Sequence, residues 1–113
     1  MNGRKAEDYV YNKLLGNKNV AVLGRQVYVR TPGAGRGRYV DILAQNKTTG
    51  QLIAVEVKSG RAARSAAQLA KDKIITSGGG AFFGMSAARA GVEERLTKDV
   101  LVSVTKIPLW KIP

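Results

Sequence analysis

Four side chains have the types and spacing for hydrolytic chemistry: Glu7, Asp41, Glu56 and Lys58. Asp41, Glu56 and Lys58 each interrupt a run of apolar residues that is typical of a buried strand. An isolated charge in such a strand is costly unless it is paired or bound to a metal ion. Because side chains alternate along a strand, Glu56 and Lys58 are expected on the same face of theirs.

Two predicted strands and one tight turn position the two strand carboxylates. The sequence predicts strands over residues 38–45 and 51–59, which form a β-hairpin. The simplest connection is a four-residue turn over residues 47–50, and the register that follows from it places Asp41 opposite Glu56. Their β-carbons would then be roughly 5 Å apart on one face. Two carboxylates at that distance repel each other, so we expect a cation between them.

The chemistry of this cation is limited by residues that the chain lacks. The sequence has no histidine and no cysteine, which excludes a protein-only zinc site, a cysteine nucleophile and a histidine base. Oxygen ligands favour Mg²⁺ or Mn²⁺. We expect Asp41, Glu56 and a backbone carbonyl such as that of Val57 to bind the ion, with Glu7 as a further ligand, directly or through water. Lys58 would polarise the attacking water or stabilise charge on a phosphate.

The charge of the chain points to a polyanionic partner. Nineteen Lys and Arg residues against eight Asp and Glu residues give a net charge of +11, which favours nucleic acid over other partners, although a merely solvated basic surface would look the same. Positive charge is concentrated in the glycine-rich loop over residues 31–37 and on the polar side of a predicted second helix. The candidate nucleic-acid-binding residues are Arg36, Arg38, Arg61, Arg64, Gln68 and Lys71.

The remaining elements follow from hydrophobic periodicity. Helical spacing over residues 3–15 puts Glu7 on the border of an apolar stripe, and a strand near residues 25–30 follows a bend at Gly24. The pattern then predicts a helix over 62–75 whose sheet-facing side is the stripe of Ala, Leu and Ile, a strand over 81–85, a short helix or turn over 86–96 and a strand over 99–106. We expect one domain over residues 1–113, and no apolar run approaches the length of a membrane span.

Aromatic residues make up 6% of the chain. We therefore expect no base-stacking platform of the kind used by single-strand-binding proteins. The aromatic residues considered for stacking are expected to serve as core or surface residues instead: Tyr9, Tyr11, Tyr28 and Trp110.

These motifs resemble a known family. Gly3-x-x-x-Glu7, the run Val40-Asp41-Ile42-Leu43-Ala44 and the run Val55-Glu56-Val57-Lys58-Ser59 are similar to the core of the PD-(D/E)XK restriction-endonuclease-like nucleases, including archaeal Holliday-junction resolvases. The resemblance covers about residues 3–75. Tyr39-Val40 stands where the family has its proline, which is a departure from the pattern.

The resemblance implies an α/β fold with a central mixed β-sheet flanked by helices in the order α-β-β-β-α-β. It implies that Asp41 and Glu56 bind a divalent metal and that Lys58 assists the nucleophile. Glu7 would be the acid of the first helix. Some family members carry a functional glutamine on the helix after the E-x-K strand, where this chain has Gln68, although the helical wheel predicts that Gln68 lies on the surface.

Small size, basic charge and a glycine-rich second half also resemble the C-terminal toxin domains of bacterial polymorphic and contact-dependent growth inhibition systems. That resemblance implies an acidic immunity protein as inhibitor, and delivery from a larger secreted or surface-displayed protein into the cytoplasm of a target bacterium. DNA is favoured weakly over tRNA as the substrate.

Two other functions fit the sequence. A housekeeping repair or recombination endonuclease would use the same catalytic residues without a dedicated inhibitor. A nonenzymatic nucleic-acid-binding module would instead use Asp41, Glu56, Lys58 and an arginine as a structural ion-pair cluster. Oligomeric state is left open by the sequence.

Overall fold

A mixed six-stranded sheet forms the centre of the structure, a computed structural model that describes residues 2–31, 37–60 and 66–111. The elements in chain order are helix α1 (Asn2–Leu15), strands β1 (Val20–Arg30), β2 (Arg38–Asn46) and β3 (Leu52–Ser59), helix α2 (Ala66–Gly78), strand β4 (Gly80–Phe82), helix α3 (Met85–Arg89), strands β5 (Leu96–Thr97) and β6 (Leu101–Ile107), and a 3₁₀ turn (Leu109–Lys111).

The sheet order is β5-β4-β1-β2-β3-β6, with β3 and β6 parallel and the other neighbours antiparallel. The predicted α/β class, the mixed sheet and the order of the first six elements are confirmed. Some element boundaries after α2 differ from the prediction. The strand predicted over 81–85 ends at Phe82, and Met85 begins α3. Strand β5 has only two residues, too few for a periodic signal. Across the described parts of the chain, no helix has the length and apolar character needed to cross a membrane.

The two faces of the sheet bury separate apolar clusters. Alternation along β3 sends Val55 and Val57 to the cluster that contains α1, and Ala54 to the cluster that contains Ile75 of α2. The faces are therefore named here the α1 face and the α2 face. Because β3 is buried on both faces, its charged residues must find partners within the protein or a ligand.

In both β1 and β2, the alternation of side chains between the two faces is interrupted at the same level of the sheet. Val40 packs in the cluster of the α2 face and Ile42 in that of the α1 face, although strict alternation would put both on one face. The register on either side of this point places Gln26 opposite Asp41, and Gln26 has a left-handed backbone with φ 51°. Asp41 therefore lies where the strand changes face, which directs its carboxylate toward neighbouring backbone.

The predicted hairpin and its register are confirmed. Asn46 and Gln51 close the turn through a 2.9 Å hydrogen bond, and Gly50, with φ 77°, donates to the Asn46 carbonyl at 2.8 Å. The ladder continues to the pair Ile42 and Val55, the pair next to Asp41 and Glu56. The turn thus fixes the register of the hairpin, and the register determines that Asp41 and Glu56 are neighbours.

The bend predicted at Gly24 is a β-bulge in β1, where the register shifts between Val22 and Gly24. A Cβ at position 24 would come within 1.9 Å of the Ser86 hydroxyl oxygen, so glycine lets α3 approach the sheet closely. The bulge precedes the part of β1 that carries Arg25 and Gln26.

Candidate active site

The carboxylate of Asp41 is bound to the backbone of the neighbouring strand. Its Oδ2 accepts a 2.8 Å hydrogen bond from the amide of Val57, and its Oδ1 accepts a 3.4 Å bond from Nε2 of Gln26. The side chain thus continues the contact between β2 and β3 beyond the last pair of the ladder. This holds Asp41 beside Glu56, the residue before Val57.

Glu56 is almost fully buried, with 7% of its side chain exposed. Arg38 pairs with its Oε2, while its Oε1 lies 3.3 Å from Nζ of Lys58 and accepts a 3.4 Å bond from Nε2 of Gln68. Burial and the charge of Asp41 raise the pKa of Glu56 above its ordinary value, although Arg38 and Lys58 act in the opposite direction. Burial is the larger cause of this rise and the charge of Asp41 the second.

Lys58 lies on the same face of β3 as Glu56, as predicted. Its ammonium group contacts Oε1 of Glu56 and donates a 3.3 Å hydrogen bond to Oε1 of Gln68. The side chain is 17% exposed, so the amine is held among polar partners yet accessible from one side. An amine in this position can stabilise negative charge that develops on a bound phosphate.

The structure places Arg38 inside this cluster. Only 9% of its side chain is exposed, and its guanidinium joins Glu56 of β3 to Asp72 of α2. The sequence predicts Arg38 as a nucleic-acid contact because it flanks the glycine-rich loop, but β2 begins at Arg38 and turns it toward α2. Asp72, which is 2% exposed, was missed by the sequence reasoning; its one signal is that it is the only acidic residue of α2.

Helix α2 faces the sheet with a different side from the predicted one. Asp72 and Ile75 are buried and Gln68 is half-buried, whereas Leu69 of the predicted apolar stripe is 39% exposed. The prediction took only apolar residues into account when it assigned the buried side of the helix. The ion pair between Arg38 and Asp72 and the contacts of Gln68 with Lys58 and Glu56 instead bring a polar edge of the helix to the sheet.

Glu7 is linked to Asp41 through the side chain of Gln26. Nε2 of Gln26 donates to Oε1 of Glu7 at 2.8 Å and also contacts Asp41, so a single amide links the acid of α1 to that of β2. The other oxygen of Glu7 accepts a 2.6 Å bond from Nε of Arg25. Burial lowers the pKa of Arg25, but its bonds to Asp8 and Glu7 outweigh this and leave the pKa raised. Gln26 also was missed by the sequence reasoning, and its residue type gives no signal.

An open cleft of about 620 Å³ adjoins Glu7 and Gln26 and is also lined by Arg4 and Arg25. These two arginines make part of its lining cationic, and the cleft leads to the amide that contacts Asp41. This is a side from which an anionic ligand can approach Glu7 and Asp41.

The donor set suits a hard divalent ion. Asp41 and Glu56 offer carboxylate oxygens, and each oxygen has more than one lone pair, so their present hydrogen bonds do not exhaust them. Within the three described segments, no three or more acidic side chains form a ready-made metal cluster, because Gln26 stands between Glu7 and Asp41. The predicted ligand set of Asp41, Glu56 and Glu7 stays a prediction.

The remaining predicted contacts for nucleic acid fall on residues or side chains that the structure does not describe. Arg36, Arg61 and Arg64 lie outside the described residues, as does the side chain of Lys71. Of the six candidates, the structure therefore brings two to the carboxylates, Arg38 and Gln68.

Comparison of the chain with protein-family models, with curated proteins and with solved structures finds no significant match.

Proposed function

We propose that this chain is a metal-dependent endonuclease of the PD-(D/E)XK type, which hydrolyses phosphodiester bonds. The observation that carries the proposal is that Asp41 accepts a hydrogen bond from the amide next to Glu56, a buried carboxyl whose pKa is raised by burial and then by the charge of Asp41. Two neighbouring carboxylates can hold a divalent ion, and an amine on the strand face of Glu56 can stabilise charge on a phosphate during phosphodiester hydrolysis.

In this proposal Asp41 and Glu56 hold Mg²⁺ or Mn²⁺, with Glu7 as a further ligand, directly or through water. The ion supplies an activated water and neutralises charge on the phosphate. Lys58 orients the attacking water or stabilises the pentavalent phosphate, and Gln68 fixes the position of the amine through its 3.3 Å hydrogen bond. Arg38 holds Glu56 in place and favours its ionised form, because its positive charge opposes the rise in the pKa of that carboxyl.

The substrate proposal rests on charge. The net charge of +11 attracts a polyanion, and the cleft beside Glu7 and Gln26 presents Arg4 and Arg25 to a phosphate backbone. We propose DNA as the first substrate to test and tRNA as the second.

The biological role that we propose is that of a toxin domain in bacterial competition, active in the cytoplasm of the target cell. An acidic immunity protein would neutralise it by covering the basic surface or the carboxylates. A repair or recombination endonuclease would show the same chemistry. The two roles differ in that expression of a toxin without its inhibitor arrests the host.

The experiment is incubation of the purified chain with plasmid DNA and with total tRNA, each with Mg²⁺, Mn²⁺ or excess chelator. We expect cleavage that needs the metal and is lost in Asp41→Asn and Glu56→Gln. Lys58→Met should slow turnover far more than it weakens binding. Lys47→Met, which changes an exposed lysine in the turn of the same hairpin, is the matched control. Cleavage that persists in chelator or in either carboxylate variant would contradict the proposal.

One observation favours a second function, a nonenzymatic nucleic-acid-binding module. Arg38 joins Glu56 to Asp72, so part of the cluster already serves as a buried structural ion pair. This alternative predicts that the chain binds nucleic acid without hydrolysing it under any metal condition. The cleavage assay separates the two functions.

A further inference from the structure

Three aromatic rings lie side by side at one end of the sheet. Tyr28 of β1 is at the centre, with ring centroids 5.2 Å from Tyr39 of β2 and 5.8 Å from Phe83, which follows β4. Both pairs are tilted, by 58° and 57°, within the normal range for aromatic packing. We call these three residues the aromatic row.

The aromatic row is on the α1 face, beyond the level at which the alternation in β1 and β2 is interrupted. Val27 and Val29 pack in the cluster of the α2 face, so Tyr28 between them points to the opposite side. Tyr39 is 60% exposed, which shows that α1 does not cover this end of the sheet. A tyrosine ring this exposed on a strand offers an aromatic surface to a ligand.

The aromatic row lies near Asp41 and positive charge, whereas Glu56 and Lys58 are on the α2 face. Tyr39 is two residues before Asp41 on β2, so a nucleotide whose phosphate lies at Asp41 has its neighbours within reach of the ring. Arg30 is exposed and lies two residues after Tyr28, on the same face of β1. An exposed ring flanked by a cation suits a base and its phosphate together.

We infer that the aromatic row is a subsite for an unpaired base of the nucleic acid, so that the chain prefers single-stranded or locally unwound substrate over regular duplex. This rests on the proposed function for the identity of the ligand. A base can stack on Tyr39 only when it has left its own pair, because the bases of a duplex present their edges rather than their faces. Stacking does not select a base, so the subsite sets the structure of the substrate and not its sequence.

The test is fluorescence anisotropy of the full chain, in chelator, with a short labelled single strand and with the duplex of the same sequence. Chelator prevents metal-dependent cleavage, so binding is measured apart from catalysis. We expect Tyr39→Ala to weaken single-strand binding about tenfold, with duplex binding changed less than about twofold. Tyr39→Phe should retain the affinity, because it keeps the ring.

Two further variants separate stacking from folding and from general exposure. Tyr39→Leu keeps apolar volume against Tyr28 without an aromatic face and should lose affinity as Tyr39→Ala does, with its folding checked by circular dichroism. Trp110→Ala removes a ring that is 80% exposed in the turn after β6, a strand separated from β2 by β3, and should have no effect.

Equal losses on single strand and duplex, an unchanged Tyr39→Ala or Tyr39→Leu, an equal effect of Trp110→Ala, or no binding by the wild-type chain would overturn the inference. Metal-dependent cleavage with no effect of Tyr39→Ala would remove the subsite and keep the nuclease. Preferential single-strand binding through Tyr39 without cleavage would keep the subsite and remove the proposed nuclease activity.

Discussion

The carboxylate of Asp41 accepts a 2.8 Å hydrogen bond from the backbone amide of Val57. A side chain here takes the role that a strand carbonyl has in the rest of the hairpin, so its position is fixed by backbone of the opposite strand. Val57 follows Glu56, and the pKa of that carboxyl is raised by its burial and then by the charge of Asp41. The pair is therefore coupled electrostatically before any ligand binds.

Removing the charge of Asp41 should lower the pKa of Glu56. Asp41→Asn keeps an oxygen that can accept the Val57 bond but carries no negative charge, so ionised Glu56 is less disfavoured. The measurement is an NMR titration of the Glu56 side-chain carboxyl in the metal-free protein. Asp99→Asn, at an exposed position outside the cluster, should leave that titration unchanged. An unshifted or raised pKa in Asp41→Asn would contradict the coupling.

Glu56→Gln should gain stability relative to the wild type as the pH rises. The folded-state pKa of Glu56 is raised above 4.5, so its contribution to stability is fully present below about pH 4.5 and is lost as the pH rises through the folded pKa. A glutamine has no such loss. Urea unfolding of both proteins from about pH 4 to pH 7 measures the difference in free energy of unfolding. A difference that moves in favour of the wild type with rising pH would mean that the folded-state pKa is depressed.

Arg38→Met should destabilise the fold strongly at neutral pH. The change leaves Glu56 and Asp72 buried without the cation that joins them, and breaking a buried pair on one side costs about 3–5 kcal/mol. The loss should be smaller at low pH, because the raised pKa of Glu56 favours its protonated form there and removes its negative charge. Arg30→Met, at an exposed position of β1, should change the free energy of unfolding by about 0.5 kcal/mol or less. Equal effects of the two substitutions would show that the buried pair contributes nothing measurable.

The hairpin and its chemistry could be predicted because they depend on local rules. The four-residue turn fixes the register, and the register fixes which residues of β2 and β3 are neighbours, so Asp41 and Glu56 follow from short-range sequence alone. The shared face of Glu56 and Lys58 follows from alternation.

The surroundings of the carboxylates could not be predicted, because they depend on contacts between distant residues. Arg38 and Asp72 are separated by 34 positions, and neither has a sequence signal for the other. Gln26 reaches Glu7 and Asp41 because its backbone is left-handed at the point where the alternation in β1 is interrupted, a conformation that sequence patterns rarely indicate for glutamine.

Gln26→Gly should separate stability from activity. Glycine accepts φ 51° without strain, and this gain of about 1 kcal/mol is offset by a similar entropic cost, so the melting temperature should change little. The nuclease activity that we propose should fall, because Glu7 and Asp41 lose the amide that links them. The matched control is Glu94→Gly, at an exposed position with φ 61°. A large loss of stability without loss of activity would assign Gln26 a purely structural role.

The most direct test of the central claim is Mn²⁺ binding to the metal-free protein, measured by isothermal titration calorimetry. If Asp41 and Glu56 together hold the ion, the wild type should bind Mn²⁺, and Asp41→Asn and Glu56→Gln should each lose about tenfold or more in affinity. Asp99→Asn should bind as the wild type does. The same Mn²⁺ affinity in all four proteins, or no binding by the wild type, would contradict the claim that these two carboxylates form a metal site.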